Sequence, residues 1–392
     1  MHVPALDLQG LSEEEFLRDY WQKRPCLIRG GLKGLQIELT PEELAGLACE
    51  EGVPARIIEE TGDEAGWSVR HGPFTEADFA ALPERDWTLL VTDMEKLLPE
   101  LAALIEPFRF IPDWRIDDLM VSYAAPGGSV GPHTDAYDVF LVQLRGRREW
   151  RISERHHGRE ELRPNPDLQI LAHFEESECW TVAPGDILYL PPGVPHWGIG
   201  LDDACMTASV GFRAPSWGEL ASGLFEHLLE RPQMECRYSD PDLELRDHPA
   251  AILPQEIGRM RQKLEQMLSF DDREFALWLG GWLTRPTQPM EEPLPVETSI
   301  EDIMDHLRRG QVPERNPWAR MLLLPDDRQP VLFANGERVD VPKACLPLAE
   351  CLAARHRPER ETLLTRLEQA PEGLELILAL LRRGVLEWPD ED

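Results

Sequence analysis

The stretch Pro126-Gly-Gly-Ser-Val-Gly-Pro-His133-Thr-Asp135-Ala-Tyr137-Asp138 contains the pattern that decides the fold. Turn-forming residues fill its first half, and a His-x-Asp pair follows where a strand begins. Alternate side chains of a strand point to the same face, so His133 and Asp135 are expected on one side. A later strand should bring a third ligand, and His196 follows the second turn-bounded segment, Pro184-Gly-Asp-Ile-Leu-Tyr-Leu-Pro-Pro-Gly193.

Two histidines and one carboxylate form the donor set of non-haem Fe(II) oxygenases. Three protein ligands occupy one face of an octahedron and leave three positions for a cosubstrate and dioxygen. The alternative is that His133 and His196 are ordinary turn or core histidines. Two matched motifs in the right order favour the metal site, with His133, Asp135 and His196 as both metal ligands and catalytic residues.

An Fe(II) site of this kind needs an electron source, and the commonest is 2-oxoglutarate, whose distal carboxylate requires a fixed cation. Arg148 follows on the next strand and shares a face with Trp150 and Ile152. A planar guanidinium clamps a carboxylate with two hydrogen bonds, so Arg148 is the expected anchor. Ser122 and Ser209, on flanking strands, are expected either to line the same pocket or to satisfy local backbone groups.

The surrounding middle third is rich in Val, Leu, Ile, Tyr and Trp, and Gly, Pro or Asp turns divide it into short segments. The pattern predicts strands at Asp117–Ala125, Asp138–Glu154, Glu178–Val182, Asp186–Pro191 and Ala204–Phe212. Short strands at this spacing are typical of an antiparallel sandwich or jelly roll. We therefore expect a mixed α and β protein built around an antiparallel sandwich or jelly-roll core.

The sequence on either side of this core is more helical. Towards the N-terminus we expect helices from Ser12 to Lys23, over Pro41–Glu51 and over Leu97–Pro107. Beyond the core, helices are predicted over 219–230, 254–268 and 273–283. A Pro-rich linker follows, then helices with a hairpin at Asn335-Gly336, a pattern that resembles a winged helix.

Composition limits the partners. The 392 residues carry a net charge of −32, which argues against nucleic acid or an anionic membrane surface as partner. The acidity fits either solubility and habitat or a basic partner. Seven scattered cysteines support no disulfide framework, and no apolar stretch is long enough to span a membrane. The N-terminus lacks a signal-peptide pattern, so a cytoplasmic location is expected.

The chain resembles the Jumonji-C oxygenases, and within them the bacterial ribosomal oxygenases that hydroxylate an arginine of ribosomal protein sixteen of the large subunit. The resemblance covers nearly the whole sequence. It is carried by Tyr20–Pro25, Pro112–Met120, Pro126–Gly128, Val130–His133, Asp135, Tyr137–Phe140, Pro184–Tyr189, Pro191–Gly193, His196, Ser209–Pro215 and Tyr238–Pro241. Many Jumonji-C proteins have Lys where this chain has Arg148, and Arg matches the bacterial arginine-hydroxylating branch.

The resemblance implies three parts. Residues 1–215 would form the catalytic double-stranded β-helix domain, residues 216–290 a helical dimerisation region, and residues 291–392 a winged-helix-like domain. It also implies Fe(II) on His133, Asp135 and His196, with 2-oxoglutarate on Arg148. The expected protein is a homodimer that binds neither DNA nor RNA directly.

An arginine substrate, hydroxylated at C3, would need acidic and hydrogen-bonding groups near the metal. Asp118 and Tyr137 are candidates, since Asp118 shares a strand face with Ser122 and Tyr137 follows Asp135 by two positions. Asp138 is a further candidate. The alternatives for Asp118 and Tyr137 are a turn or cap residue and a core aromatic residue.

Three other functions remain open from the sequence: a Jumonji-C demethylase, a dioxygenase for small molecules, and a metal-holding cupin scaffold without catalysis. Release of formaldehyde would distinguish the demethylase, and absence of succinate would distinguish the scaffold. A basic ribosomal protein as substrate would also give part of the acidity a role, because opposite charge accelerates encounter.

Overall fold

The computed structural model describes residues 3–35, 37–62, 66–154, 161–165, 167–286, 298–326 and 328–389. The chain forms two compact units, Met1–Ala214 and Pro215–Asp392. Each unit has its own apolar core of buried side chains. We describe the two units separately.

The first unit holds most of the strands. Its helices are α1 (Glu13–Asp19), α2 (Pro41–Leu47), α3 (Glu76–Ala80) and α4 (Met94–Leu97). Its strands are β1 (Ala5–Leu6), β2 (Cys26–Ile28), β3 (Leu32–Lys33), β4 (Ala55–Glu60), β5 (Trp67–His71), β6 (Trp87–Val91), β7 (Ile116–Ala124), β8 (Asp138–Arg145), β9 (Arg148–Ile152), β10 (Glu178–Val182), β11 (Ile187–Leu190), β12 (His196–Gly200) and β13 (Cys205–Phe212).

Two antiparallel sheets make the body of this unit. The larger has eight strands in the order β2-β11-β8-β13-β7-β6-β4-β5, and the smaller has three in the order β10-β9-β12. An apolar cluster that includes Leu141 of β8, Trp150 of β9 and Leu188 of β11 packs the two sheets together. This is the face-to-face arrangement that the strand pattern predicts.

The prediction of one strand over Asp138–Glu154 is wrong, because the chain changes sheets in the middle of it. β8 belongs to the large sheet and β9 to the small one, with the corner at Gly146. Gly146 has a φ of +58°, and a Cβ there would lie 2.2 Å from Oδ1 of Asp202 and 2.6 Å from the carbonyl carbon of Ala204. Only a residue without a side chain fits so tight a corner.

Two further details differ from the sequence prediction. The segment predicted as a helix over Leu97–Pro107 is divided into α4 and short 3₁₀ helices at Pro99–Leu104 and Glu106–Phe108, because prolines interrupt the α-helical hydrogen bonds. Strand β12, which begins at His196 itself, was not predicted. Its alternating Trp and Gly residues do not form a recognisable apolar strand pattern.

The second unit contains helices and a small sheet. Its helices are α5 (Trp217–Leu229), α6 (Pro254–Met267), α7 (Asp272–Thr284), α8 (Ile300–Arg308), α9 (Leu346–Ala354), α10 (Arg360–Gln369) and α11 (Gly373–Arg382). Its strands are β14 (Glu314–Arg315), β15 (Met321–Leu324), β16 (Val331–Ala334), β17 (Glu337–Asp340) and β18 (Leu386–Glu387). The predicted hairpin is present, with positive φ at Asn335 and Gly336 between β16 and β17.

The three-part division at residues 215 and 290 stays a prediction, and the boundary at 290 lies outside the described residues. Across the described part of the chain, no helix combines the length and apolar character needed to cross a membrane.

Candidate active site

The two candidate histidines are brought together by the backbone. The amide of His133 donates to the carbonyl of His196 at 3.0 Å, and the amide of His196 donates back at 2.9 Å. Directly opposed residues of an antiparallel pair project their side chains to the same face. The two rings accordingly lie 4.3 Å apart between centroids, on the same side of the sheet as Asp135.

Hydrogen bonds determine which ring nitrogen of each histidine carries the proton. Nδ1 of His133 lies 2.9 Å from the carbonyl oxygen of Gly131, and Nδ1 of His196 lies 2.9 Å from that of Val194. A carbonyl oxygen accepts only, so each Nδ1 carries the proton and each Nε2 presents a lone pair. This is the tautomer that binds a metal through Nε2.

The remaining lone pairs converge with the carboxylate. Nε2 of His133 lies 3.8 Å from Oδ1 of Asp135, and Nε2 of His196 lies 3.6 Å from Oδ2. The ligand atoms of the three residues all lie within 4.8 Å of one another. Burial, together with the neighbouring His133, lowers the pKa of His196 to about 4, so its ring is neutral at physiological pH. The donor set fits a divalent metal of the kind bound by two histidines and a carboxylate.

A cavity of about 270 Å³ opens beside these three residues, between the two sheets. Side chains from both sheets line it. The predicted residues at its wall are His133, Asp135, His196, Arg148, Ser122, Ser209, Asp118 and Tyr137. The structure therefore brings together eight of the nine site residues named from the sequence.

Arg148 is the most unusual group in this cavity. It is only 6% exposed, and Nε and Nη2 are buried without a hydrogen-bond partner among the described residues. Nη1 makes one long hydrogen bond of 3.4 Å to Oγ of Ser122. A buried cation with two unpaired donors is unfavourable unless an anion completes it. Arg148 therefore fits a carboxylate ligand that enters the cavity.

Trp150 and Gly198 form the wall beside Arg148. The guanidinium carbon of Arg148 lies 5.5 Å from the centroid of the Trp150 ring, which is 5.9 Å from the ring of His196. A Cβ on Gly198 would come within 2.5 Å of the same indole. Gly198 thus leaves the space in which Trp150 packs between the cation and the histidine.

Asp118 lies at another part of the cavity wall, on β7 with Ser122. Its carboxylate lies close to the backbone of β13, because a Cβ on Gly211 would be 2.9 Å from Oδ1 of Asp118 and 3.7 Å from Cε2 of Tyr137. Burial, then the nearby carboxylates of Asp117, Glu95 and Asp93, raise the pKa of Asp118 to about 7. A cationic ligand would relieve this repulsion.

Asp138 corrects the sequence prediction of a third substrate-binding residue. Its side chain is fully buried, and it is not among the residues that line the cavity. Oδ1 accepts from the Tyr189 hydroxyl at 2.6 Å, and Oδ2 accepts from Gln22 Nε2 and Arg115 Nη2 at 2.9 Å each. The carboxylate holds β8 to Gln22, Arg115 and Tyr189 and does not face the cavity, so it is a structural group and not a substrate-binding one.

Sequence reasoning missed several polar residues of the cavity wall, two of which have buried atoms without partners in the described part of the chain. Arg56 of β4 and Thr88 of β6 line it, and Nε of Arg56 and Oγ1 of Thr88 are buried without partners among the described residues. The one available signal was an arginine on the same strand face as Ile58 within an otherwise apolar segment. No motif marks either residue.

Comparison with known proteins gives matches to both units. Residues 103–220 match the JmjC domain family, and residues 262–387 match the ROXA-like winged helix family. The chain is 39% identical over 382 residues to the ribosomal protein uL16 3-hydroxylase of Escherichia coli K12, over 95% of this chain and 97% of that protein. It is 40% identical over 256 residues to a probable ribosomal oxygenase of Haemophilus influenzae, over 65% of this chain and 60% of that protein.

A solved structure also matches. It is that of YcfD, a ribosomal oxygenase from Escherichia coli, in complex with cobalt and 2-oxoglutarate. The TM-score is 0.82 at 36% identity, over 99% of this chain and 100% of that chain.

Proposed function

The chain belongs to the JmjC-domain ribosomal oxygenases, and from that premise we propose that it hydroxylates C3 of an arginine side chain in ribosomal protein uL16, using Fe(II) and 2-oxoglutarate. Membership confirms the predicted family, the double-stranded β-helix fold, the winged-helix-like C-terminal part and the class of enzyme. The cofactor prediction agrees with the cobalt and 2-oxoglutarate held by the E. coli relative.

The two buried nitrogens of Arg148 that have no hydrogen-bond partner among the described residues carry the cosubstrate assignment. In the proposal His133, Asp135 and His196 hold the iron, Arg148 binds the distal carboxylate of 2-oxoglutarate, and Ser122 and Ser209 complete the wall around it. The iron, when bound with 2-oxoglutarate, supplies the oxidising power for insertion of one oxygen atom from O₂ into a C–H bond. The chain itself selects and orients the C–H bond.

Asp118 and Tyr137 are proposed to bind the substrate guanidinium. Asp118 offers a carboxylate at the cavity wall, and Tyr137 is 39% exposed beside it. Burial, then the neighbouring Asp135 and Asp118, raise the pKa of the Tyr137 phenol, so it stays neutral and can act as a donor or acceptor. A guanidinium would meet a charged acceptor and a neutral hydroxyl at the same wall.

Mass spectrometry tests the reaction directly. A uL16 fragment incubated with the enzyme, Fe(II), 2-oxoglutarate and O₂ should gain one oxygen atom on an arginine, and fragment ions should locate it at C3. Asp118→Ala should abolish turnover of the peptide while 2-oxoglutarate still binds. Formaldehyde release without a stable oxygen adduct would replace this function with demethylation, and absence of succinate would favour a non-catalytic scaffold.

We further propose that residues 216–290 form a dimer interface. Helix α6 has no buried side chain, yet apolar residues repeat along it at positions 257, 260, 264 and 268. Ile257 is 55% exposed, Met260 46% and Leu264 56%. An apolar stripe of this spacing is typical of a helix covered by another helix, and a second copy of the chain is the proposed cover.

Sedimentation analysis tests the dimer. The wild-type chain should sediment as a dimer, and Ile257→Glu with Leu264→Glu should give a folded monomer. Exchange of the exposed Gln262 and Gln266 for Glu on the same helix adds the same charge outside the stripe and should leave the dimer intact.

We also propose a cytoplasmic location for the protein, because its proposed substrate is a ribosomal protein and ribosomal proteins are synthesised in the cytoplasm.

A further inference from the structure

A cluster of charged side chains from helix α4 and strand β7 lies next to Asp118. We call the part of the cavity wall formed by Asp118 and Tyr137 the substrate wall. Asp93 precedes α4 in a left-handed conformation, with a φ of 60°, and Glu95 and Lys96 lie within the helix. Oε2 of Glu95 accepts from the amide of Leu119 at 3.0 Å, which fixes α4 against the residue that follows Asp118. The cluster is therefore attached directly to the substrate wall.

Lys96 is the cation of this cluster. Its Nζ donates to Oδ1 of Asp93 and lies 3.8 Å from Oε1 of Glu95. The side chains are nearly enclosed, at 12% exposed for Lys96 and Glu95 and 7% for Asp93. Charges this poorly screened act on one another over several ångströms more strongly than surface charges do.

Several charged groups act on Asp118. Carboxyl groups approach it from β7, through Asp117, and from α4, through Asp93 and Glu95, while Tyr137 faces it from the loop before β8. Lys96 opposes the carboxyl groups, and it also opposes the rise that burial causes in the pKa of Glu95. Without its ammonium group, the cluster would favour the protonated form of Asp118 at neutral pH.

We propose that Lys96 is a positioning residue of the substrate site: its ammonium group offsets the carboxylates behind Asp118 and favours the ionised form of Asp118 at the cavity, where it receives a cationic side chain. This inference rests on the proposed function only in naming arginine as that cation. In this proposal the acidic cluster selects a substrate side chain that carries a positive charge. A neutral side chain would gain no ionic attraction to Asp118, and an acidic one would be repelled.

A double-mutant experiment tests the proposal. The variants are Lys96→Met, Asp118→Asn and their combination, with Lys96→Arg as the conservative change. Lys33→Met is the matched control, because Lys33 forms an ion pair with Asp7 at the exposed surface. Binding of a fluorescent arginine peptide is measured by anisotropy across pH, and KM and kcat are measured separately.

The expected result follows from the sign of the charge. Lys96→Met raises the pKa of Asp118, so at about pH 7 the peptide Kd rises by about five- to tenfold. The loss disappears near about pH 9, where Asp118 is ionised in both proteins. KM rises with Kd while kcat stays close to the wild-type value. Lys96→Arg and Lys33→Met bind as the wild type does.

The Asp118→Asn background separates charge from structure. If Lys96 acts through Asp118, then Lys96→Met adds no further loss of binding to Asp118→Asn. A loss that persists in that background, or that does not change with pH, would overturn the proposal and make Lys96 a structural residue.

A substrate-independent measurement separates this proposal from the proposed function. The ¹³Cγ resonance of Asp118, assigned from its absence in Asp118→Asn, reports the ionisation of the carboxyl group directly. Lys96→Met should move its titration to higher pH. An unchanged titration refutes the role of Lys96, whereas a shifted titration in a protein that ignores arginine peptides refutes the substrate alone.

Discussion

Asp118 of β7 and Asp138 of β8 are carboxylates of the same sheet, yet their surroundings differ. Asp138 accepts hydrogen bonds from Tyr189, Gln22 and Arg115, so both of its oxygens have partners. Asp118 faces a cavity with further carboxylates behind it, and the pKa of its carboxyl group is raised to about 7. The protein itself supplies the partners of Asp138, whereas Asp118 is available to a ligand in the cavity.

The two arginines repeat the contrast. Arg115 is paired with Asp138, whereas Arg148 keeps two buried donors without partners among the described residues. Polar groups at the cavity are thus arranged for molecules that arrive, while those beside it hold the fold together. Substitutions on the two sides should affect different properties, and the predictions below test that division.

The largest effect is expected at Asp138. Asp138→Asn removes the partner of a buried guanidinium and should lower the free energy of unfolding by about 3–5 kcal/mol. Urea denaturation at neutral pH measures it. If the variant kept wild-type stability but lost affinity for the arginine peptide, Asp138 would belong to the substrate site and the contrast would fail.

The next effect concerns the cosubstrate. Arg148→Met removes a charge that has no anionic partner within the described chain, so stability should not fall. The KM for 2-oxoglutarate should rise by about 100-fold, since a buried charge-assisted pair is lost. Arg115→Met is the matched change outside the cavity. It should lower the stability of the protein and leave the KM for 2-oxoglutarate unchanged. An Arg148→Met protein that unfolds as readily as Arg115→Met would contradict the division.

A smaller effect is expected for Asp118→Asn, which should raise the free energy of unfolding. Its pKa is about 7 in the folded chain against an ordinary value of 3.8, so folding favours its protonated form. The penalty is absent below the ordinary value, grows as pH rises to about 7, and is complete above it. Asp118→Asn should therefore stabilise the protein by about 2 kcal/mol at about pH 8, and less at about pH 5. Denaturation curves at the two pH values decide, and a pH-independent change would refute the assignment.

The smallest effect is expected at Ser122, whose hydroxyl accepts the long hydrogen bond from Arg148. Ser122→Ala should raise the KM for 2-oxoglutarate by about threefold, because a weak neutral contact contributes less than about 1 kcal/mol. Thr207→Val is a control on the neighbouring strand, since its hydroxyl bonds to Gln143. Equal changes in KM for both variants would indicate a general disturbance of the sheet.

The metal ligands were predictable from the sequence because the pattern is local. Two motifs mark where strands begin. The side chains of a His-x-Asp pair lie on the same face of a strand because side chains alternate along it, whatever the rest of the fold. Arg148 followed from the same alternation. The identity of the sheet that each strand joins was less accessible, as the corner at Gly146 shows: its steric cause lies at Asp202 and Ala204.

Asp138 and Lys96 show where the sequence is insufficient. The side on which Asp138 lies depends on Gln22, Arg115 and Tyr189, which are distant in the chain and carry no motif. Arg56 lines the cavity from β4, and Lys96 belongs to the charged cluster on α4 whose Glu95 binds the amide of Leu119; no local pattern connects either residue with the metal site. Their place becomes visible only when the tertiary structure brings these segments together.

The joint between the two sheets is uneven along its length, and this has a consequence for motion. Two apolar clusters close parts of the joint, one from β8, β9 and β11 and one in which Trp197 of β12 packs against a group that includes Ile58 and Leu90 of the larger sheet. At the cavity, by contrast, a long hydrogen bond from Arg148 of β9 to Ser122 of β7 crosses the joint. Opening fluctuations should concentrate at this weakly joined part. A dicarboxylate bound there would act as a removable brace, and amide hydrogen exchange in β7 and β9 should slow together when it is in place.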